Sequence, residues 1–261
     1  VTGPIELQGE TYTSENLATL LEYEVEFGFV EDNIDFENRK DIVGDLVDEV
    51  IARLMSLPLS EYPSLFDAID LGFQEKRLAL YSQDKQVQDV FVDSGWAGIV
   101  ELERVDDFLM VVDANLGALK TDPAVDRHIT YSIREDGGDY IATTQIIYDH
   151  TGEFDKFTTR YRTYTRVYAP LGSELISSSG TLLNDKLSNP SLLPGEVDVV
   201  EDLGMTSFGA FTSIEPGEQG ILEFTYRLPS SVSDAIKRKA YELQVFKQMG
   251  ATNHILTLDL D

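Results

Sequence analysis

The spacing of apolar residues changes along this chain from a helical period to a strand-like period. Between positions 42 and 54 they recur at intervals of three and four, at Ile42, Val43, Leu46, Val47, Val50, Ile51 and Leu54. Residues three and four apart share one face of an α-helix, so this segment is predicted to form a long amphipathic helix. Weaker patterns of the same kind predict helices over 17–25, 65–73 and 85–92, and a short strand is predicted over 77–81.

After Trp96 the pattern becomes one of short runs rich in Val, Ile, Thr, Tyr and Phe, separated by turn residues. Such runs are typical of β-strands. The predicted strands cover 108–112, 128–134, 140–148, 158–168, 173–177, 220–226, 241–247 and 255–260. Gly137-Gly138, between two of them, predicts a tight hairpin turn. Residues 178–204 are rich in Ser, Leu, Pro and Gly and are interpreted as a long loop.

These patterns predict an α+β chain in two parts. Residues 1–95 form a helical N-terminal subdomain, which is either complete or the back half of a larger α/β domain. Residues 96–261 form an antiparallel, immunoglobulin-like β-sandwich, because many short strands with no helices between them pack as two facing sheets.

Charge and composition limit the partners that this chain can have. It carries 47 acidic and 20 basic residues, a net charge of −27, and it has no cysteine. A surface of that sign repels phosphates, so nucleic acid is not an expected partner. The lack of cysteine excludes disulfides and thiolate nucleophiles. No apolar run reaches the roughly 18 residues that span a bilayer, so we expect no direct membrane insertion by this chain.

Several short motifs follow one another along nearly the whole chain. They are TGP at 2–4, GWAG at 95–98, DFLMVVDANLG at 107–117, RVYAPLGSEL at 166–175, FGAF at 208–211, EPGE at 215–218, YRLP at 226–229 and KQ at 247–248 followed by Gly250. In this order they resemble the bacterial family called domain of unknown function 4012. The resemblance implies an extracytoplasmic cell-surface protein of the envelope. It also implies a membrane anchor upstream of Val1 and no defined biochemical role.

Residues 1–57 also resemble the back half of the LytR–CpsA–Psr cell-wall glycopolymer ligases. A Gly-Pro strand end is followed by a helix, an acidic loop, Asn38-Arg39-Lys40 and a long amphipathic helix. This resemblance implies that Arg39 contacts the pyrophosphate of a lipid-linked glycan. However, Glu22-Tyr23-Glu24 stands where that family has arginines, and a pyrophosphate needs cationic donors rather than carboxylates.

Oxygen-bearing side chains are densest in a predicted loop after the first strand of the sandwich. Asp113, Asn115, Asp122 and Asp126 offer the carboxylate and amide oxygens that calcium binds. The alternative is a structural role, in which Asp113 and Asn115 bond the backbone of a turn while Gly117 adopts a positive φ. Both interpretations stay open, and calcium is the only cofactor that the sequence suggests.

The predicted strand over 158–168 alternates strictly between two faces. One face holds Arg160, Arg162, Tyr164, Arg166 and Tyr168. Guanidinium and aromatic groups bind sugars, carboxylates or phosphates, so this face is a candidate ligand-binding site. The alternative is that its arginines pair with Asp and Glu of neighbouring strands.

We find no catalytic motif in the sequence. The three histidines match no zinc spacing, and there is no G-x-S-x-G elbow, Walker loop or helix-opening G-x-G-x-x-G. We therefore expect a non-catalytic extracytoplasmic module that scaffolds or binds envelope proteins or glycans. Two alternatives are a fragment of an envelope glycopolymer ligase that uses Arg39, and a calcium-dependent adhesion or carbohydrate-binding module.

Overall fold

The computed structural model describes residues 3–100, 106–117, 119–251 and 254–260. Thr2, which belongs to the first motif of the family resemblance, lies outside the described residues. The chain divides into two compact units, residues 1–98 and 99–261. Within the described ranges no helix is both long enough and apolar enough to cross a membrane.

The first unit is mainly helical. Its elements are β1 (Ile5–Leu7), β2 (Glu10–Tyr12), α1 (Leu17–Tyr23), α2 (Phe29–Glu31), α3 (Asp41–Met55), α4 (Tyr62–Gln74) and α5 (Lys85–Asp93). A π-helical turn over Glu24–Gly28 joins α1 to α2. The helices predicted over 17–25, 42–54, 65–73 and 85–92 are confirmed as α1, α3, α4 and α5.

Only part of the predicted apolar stripe of α3 is covered. Ile42 and Leu46 pack against Ile5 and Tyr12 of the β1–β2 hairpin. Val47, on the adjoining part of the stripe, stays half-exposed. A hairpin of two three-residue strands is too narrow to cover an apolar face that spans more than about 100° of a helix.

The strand predicted over 77–81 is wrong. In this segment only Leu80 forms a β-bridge, with Ala97. The N–H groups of Arg77 and Leu78 instead donate to the carbonyl oxygen of Gly72, at 2.8 Å and 3.0 Å. These bonds satisfy a carbonyl group at the C-terminal end of α4, so the segment ends a helix rather than extending a sheet.

The described part of the second unit is mainly strands, with one short α-helix and a 3-10 turn over Asp122–Ala124. In chain order these are β3 (Asp107–Asn115), β4 (Val125–Asp136), β5 (Asp139–His150), β6 (Tyr161–Ala169), β7 (Glu174–Ser179), β8 (Asp198–Asp202), β9 (Met205–Ile214), β10 (Gln219–Arg227), α6 (Ser230–Lys237), β11 (Leu243–Phe246) and β12 (His254–Leu260). The eight predicted strands are confirmed. The prediction lacks β8, β9 and α6, and the loop expected over 178–204 is shortened by β8 and the end of β7.

Two five-stranded sheets face each other in a sandwich-like arrangement. One has the strand order β12-β4-β5-β10-β7, and the other has the order β11-β3-β6-β9-β8. Most neighbours are antiparallel, as predicted, but β11 pairs in parallel with β3, and β12 pairs in parallel with β4. The prediction of purely antiparallel sheets is therefore wrong at one edge of each sheet. These edge strands are reached through long connections rather than hairpins, and such connections permit parallel pairing.

The Gly137-Gly138 hairpin is confirmed. Asp136 pairs with Asp139 across the turn that joins β4 to β5. Gly137 and Gly138 have φ values of 65° and 94°. A two-residue turn of this hand needs positive φ at both central positions, which glycine adopts without strain.

The two sheets enclose an apolar core, at the edge of which the Asp107 carboxylate is also buried. Phe208 of β9 and Tyr226 of β10 are fully buried, with ring centroids 4.9 Å apart. Asp107 is equally buried and accepts hydroxyl hydrogen bonds from Tyr131 and Tyr241, each 2.6 Å long. Burial raises the pKa of Asp107. The bond from Tyr131 joins the start of β3 to β4 in the opposite sheet, and the bond from Tyr241 joins it to the segment before β11.

Candidate functional site

The predicted ligand-binding face on β6 forms, and its side chains contact acidic residues of the same unit. The contacts are Arg160 Nε to Glu215 Oε1 at 2.9 Å, Arg162 Nε to Asp185 Oδ2 at 3.1 Å, Tyr168 Oη to Asp202 Oδ2 at 3.1 Å, and a hydrogen bond from the Tyr164 hydroxyl to Asp198. The Arg162 contact is an ion pair without hydrogen-bond geometry at Nε. The geometry thus matches the pairing alternative, and the face supports the loop after β7 and the edge strand β8.

Tyr164 reaches Asp198 of β8 by lying across the intervening strand β9. Gly209 of β9 pairs with Asp198, and a Cβ atom at Gly209 would stand 2.5 Å from the Tyr164 hydroxyl oxygen. The glycine therefore leaves the space that the tyrosine ring crosses. Burial, together with the bond to Asp198, raises the pKa of Tyr164 to about 12, so this hydroxyl donates at neutral pH. On the same face the Arg166 guanidinium lies 4.7 Å from the centroid of the Tyr164 ring.

Residues 180–197, which we call the leucine loop, are held in place by buried polar side chains. The Asp185 carboxylate accepts hydrogen bonds from the N–H groups of Leu187 and Ser188, at 3.0 Å and 3.1 Å. The bond from Ser188 is the main reason that the pKa of Asp185 is lowered, and Arg162 lowers it further. Asp185 therefore fixes the tip of the leucine loop and joins it to β6.

A second set of bonds ties the two arms of the leucine loop together. The Asn189 side chain donates to the carbonyl oxygen of Leu193 at 2.8 Å and accepts from its N–H at 3.0 Å. The Leu183 N–H donates to the same carbonyl at 3.0 Å, and the Thr181 hydroxyl donates to the Gly195 carbonyl at 2.8 Å. The loop is consequently an ordered element, although it contains no strand or helix.

This ordered loop presents leucine side chains outward. Leu183, Leu187, Leu192 and Leu193 are 65%, 73%, 52% and 54% exposed. Leu192 also has a φ of 51°, in the left-handed region that leucine seldom adopts. Such a conformation persists only where the surrounding bonds hold it. One ordered loop of the second unit therefore carries four exposed leucines.

Asp113, a predicted metal ligand, lies in a buried polar network. Its carboxylate pairs with the Arg127 guanidinium, and the side chains of Asp113 and Arg127 are only 5% and 7% exposed. Asp113 Oδ1 also accepts hydroxyl hydrogen bonds from Tyr148 at 2.7 Å and from Thr165 at 2.6 Å. Its oxygens are therefore already used within the protein.

The segment between β11 and β12 joins this network through Gln248. The Asp113 N–H donates to Gln248 Oε1, and Gln248 Nε2 donates to the Asp113 carbonyl oxygen, each at 2.9 Å. Beside them opens a cavity of about 320 Å³, which we call the Asp113 cleft. Its lining includes Asp113, Asp122, Arg127, Tyr148, Tyr161 and residues 248–251.

The other three predicted metal ligands have different surroundings. Asn115 Oδ1 accepts from the Gly117 N–H at 2.7 Å, as in the structural alternative, and its Nδ2 donates to Asp122 at 2.7 Å. Asp126 stands on β4 opposite Asp149 of β5. Among the described residues no three His, Asp or Glu side chains are grouped so that they could hold a metal ion. Calcium binding stays a prediction that this arrangement does not favour.

Arg39, the predicted phosphate contact, lies in the first unit beside a cavity of about 240 Å³. Its guanidinium is 3.7 Å from the centroid of the Phe36 ring, and its Nη1 donates to the Phe36 carbonyl at 3.1 Å. The same cavity is lined by Glu24 and Asp41. Burial and nearby carboxylates, first that of Asp32, raise the pKa of Glu24. Carboxylates in this position oppose the binding of a pyrophosphate.

The sequence alone assigns no function to the leucine loop, the edge strand β8 or Gln248. A signal for the loop was present, because leucines recur between 182 and 193 without helical or strand periodicity, among Ser, Asn, Asp and Pro. Apolar residues in such a polar context are unusual for a solvated loop. Gln248 belongs to the KQ motif, but its structural role could not be predicted, since it depends on a partner 135 positions away.

Comparisons with known proteins add no functional assignment. No family model matches the chain, and no curated protein matches it. A nutrient binding protein from Legionella pneumophila matches with a TM-score of 0.24 and 9% identity, over 46% of this chain and 43% of that protein. An M1 zinc metallopeptidase from Deinococcus radiodurans matches with a TM-score of 0.18 and 13% identity, over 40% and 19% of the two chains. The chain thus spans less than half of either protein, and scores this low support no argument from them.

Replacing Asp185 with Ala is expected to release the leucine loop. Alanine cannot accept the Leu187 and Ser188 N–H bonds, and hydrogen bonds to a charged group contribute about 1.5–3 kcal/mol. Amide hydrogen exchange across 185–193, measured by mass spectrometry, should therefore become at least about tenfold faster. Asp185→Asn keeps one acceptor oxygen and should give an intermediate rate.

The contribution of the Asp185 carboxylate to the order of the leucine loop should depend on pH. Because the pKa of Asp185 is lowered by folding, its contribution is complete above the unfolded value of about 3.9. It is lost as the pH falls through the lower folded pKa. The exchange rates of residues 185–193, corrected for the intrinsic pH dependence of amide exchange, should rise only as the pH falls through the folded pKa of Asp185. Unchanged exchange in Asp185→Ala would show that other contacts fix the loop.

Replacing Arg127 with Met should destabilise the second unit strongly. The substitution leaves the Asp113 carboxylate buried without its cation, and breaking a buried pair in this way costs about 3–5 kcal/mol. The free energy of unfolding, measured by urea denaturation, should fall by that amount. The matched control is Arg134→Met on the same strand, whose partner Asp136 is exposed, with an expected cost of about 0–1 kcal/mol. Equal losses in both variants would contradict a special role for the buried pair.

Proposed function

We propose that this chain is a non-catalytic extracytoplasmic module of a bacterial envelope protein and that it binds another envelope protein through the leucine loop. The observation that carries this proposal is the exposure of four leucines on a loop fixed by Asp185 and Asn189. Exposed apolar patches bordered by polar residues are typical of protein interaction sites. The resemblance to domain of unknown function 4012 supports the cellular location.

Energetic considerations favour binding at this loop over simple exposure. Full burial of a leucine side chain contributes about 1.5–3 kcal/mol. A loop that is already ordered loses little conformational entropy when a partner covers it. The leucine loop therefore combines an apolar contact area with a preformed shape, as binding surfaces do.

The buried carboxylates support a structural rather than a catalytic use of the second unit. Asp107 accepts bonds from two tyrosine hydroxyls, and Asp113 accepts bonds from Arg127, Tyr148 and Thr165. Carboxylates bonded in this way hold elements in position. Proton transfer to a substrate would first require these bonds to break.

A photo-reactive amino acid placed at Leu187 tests the proposed function. Introduced into the parent protein in the bacterium that makes it, it should yield a cross-linked adduct of one defined mass upon irradiation. The control position is Phe154, another exposed apolar residue of the same unit, which should yield none. In the probe-bearing protein, Leu183→Asp should reduce the adduct, because a charge at the interface opposes burial. An absent adduct at Leu187, or the same adduct at both positions, would contradict the proposal.

A second candidate function, saccharide binding, is favoured by the Asp113 cleft. The cavity of about 320 Å³ is lined by the exposed Asp122 and by the buried Arg127. Together these groups accept and donate hydrogen bonds, as the hydroxyls of a sugar ring require. In this proposal the ligand site lies in the cleft rather than on the β6 face.

A glycan array probed with the full chain tests the second candidate. We expect binding of a defined glycan that weakens at least about tenfold in Asp122→Asn, which removes a charged acceptor worth about 1.5–3 kcal/mol. Asp126→Asn, a neighbouring change of the same kind outside the cleft lining, serves as the control. No glycan signal, or equal signals from both variants and the original chain, would dismiss this function.

A further inference from the structure

We infer that the free edge of β8 receives an extended segment of the partner protein, one in which basic side chains flank a pair of apolar side chains, by strand addition. This inference rests on the proposed function and specifies the chemistry of the partner. The segment would extend the sheet β11-β3-β6-β9-β8 by one strand. Backbone hydrogen bonds would supply affinity, and the basic and apolar side chains of the segment would supply specificity.

The edge is available for pairing. β8 ends its sheet and, among the described residues, pairs only with β9. All five of its residues are exposed. Proteins commonly protect such an edge with charged side chains, proline, a bulge or a covering element, and the acidic charges of β8 repel other acidic strands but not basic ones. The sequence of β8, DVVED, contains neither lysine nor proline, and its register with β9 is continuous from Asp198 to Asp202.

The charges of β8 determine which kind of segment can pair with its free edge. Its three ionisable side chains, Asp198, Glu201 and Asp202, are all acidic, and Val199 and Val200 between them are half-exposed. Opposite charges directly across two strands stabilise pairing, whereas like charges destabilise it. A segment with lysine or arginine next to valine-like residues therefore complements this edge.

The same charges argue against a second copy of this chain as the occupant. In an antiparallel pair of two β8 strands centred on Val200, Asp198 of each copy would face Asp202 of the other. Such a pair would bring four carboxylates together without a cation. The edge therefore disfavours self-association while remaining complementary to a basic segment.

β8 is also held rigidly before any partner arrives. The Tyr164 hydroxyl bonds Asp198 at its start, and the Tyr168 hydroxyl bonds Asp202 at its end, at 3.1 Å. Both tyrosines lie on β6, two strands away, so the edge strand is fixed from the centre of its sheet. A preformed edge avoids the entropic cost of ordering a strand on binding.

The leucine loop leads directly into β8. It ends at residue 197, and β8 begins at Asp198, while Val197 packs against the apolar core. A partner that covers the leucines is thereby brought close to the edge. The loop supplies the apolar contact, and the edge supplies backbone hydrogen bonds and charge complementarity.

Three seven-residue peptides test this inference on the full chain. The probe has a central Val-Val pair flanked by lysines, a second peptide has glutamate in place of each lysine, and a third is the probe with alternate backbone nitrogens methylated. By fluorescence anisotropy, the probe should bind and the glutamate peptide should not. Methylation removes the N–H donors, so the third peptide should bind at least about tenfold more weakly. The probe should also slow amide exchange in residues 198–202.

Matched double substitutions locate the binding. Val199→Lys/Glu201→Lys changes the charge of β8, and Phe154→Lys/Glu153→Lys makes the same change in total charge on a separate exposed loop. The first should weaken probe binding at least about tenfold, and the second should have little effect. Equal weakening by both, or equal binding of the methylated peptide, would overturn the inference, because either result reports general charge attraction only.

Peptide binding to β8 and cross-linking at Leu187 can fail independently of each other. If the probe fails to bind β8 while the Leu187 cross-link still forms, strand addition is wrong and partner binding stands. If the probe protects β8 but no cross-link forms, the edge accepts a basic strand and the partner function of the leucine loop is wrong.

Discussion

The second unit depends on one buried ion pair that connects its two sheets. Asp113 belongs to β3 and Arg127 to β4, which lie in different sheets, and their side chains are almost fully buried. Each charge is expensive to bury alone, so the pair persists because hydroxyls of Tyr148 and Thr165 satisfy the remaining oxygen lone pairs. Gln248 then bonds both backbone groups of Asp113, which links the segment between β11 and β12 to the same point.

The scarcity of basic residues shapes the rest of the unit. With 20 basic against 47 acidic residues, the chain has few cations to pair with its carboxylates. Arg160 and Arg162 pair with Glu215 and Asp185, and two tyrosines of β6 serve as further donors to acidic residues of β8. This face of β6 therefore supports neighbouring segments of the unit, and ligand binding there stays a prediction. The surfaces that it holds outward are the leucine loop and an acidic strand edge.

Local patterns predicted most of the elements, and long-range contacts account for what they did not predict. Four-residue spacing indicates α3, and the glycine pair indicates the hairpin between β4 and β5, because both features are determined by near neighbours. β9 was not predicted because Gly209, together with the small residues Ser207, Ala210 and Ser213, weakens the strand signal. Gly209 leaves room for the Tyr164 ring. Strand 158–168 was predicted together with its two faces. The face with the arginines and tyrosines has partners on β8 and the leucine loop. No local pattern in the sequence connects these segments to β6.

β11 pairs in parallel with β3, and β12 pairs in parallel with β4. These pairings have a consequence for how the chain folds. Asp113 and Gln248, which meet through two hydrogen bonds, are separated by 135 positions. Contacts so distant in sequence form slowly, because closing a large loop costs entropy before any bond is gained. Until that closure, β3 and β4 keep unsatisfied backbone groups along one side. In a cell, this interval is when the nascent protein is most open to aggregation or to protection by a chaperone.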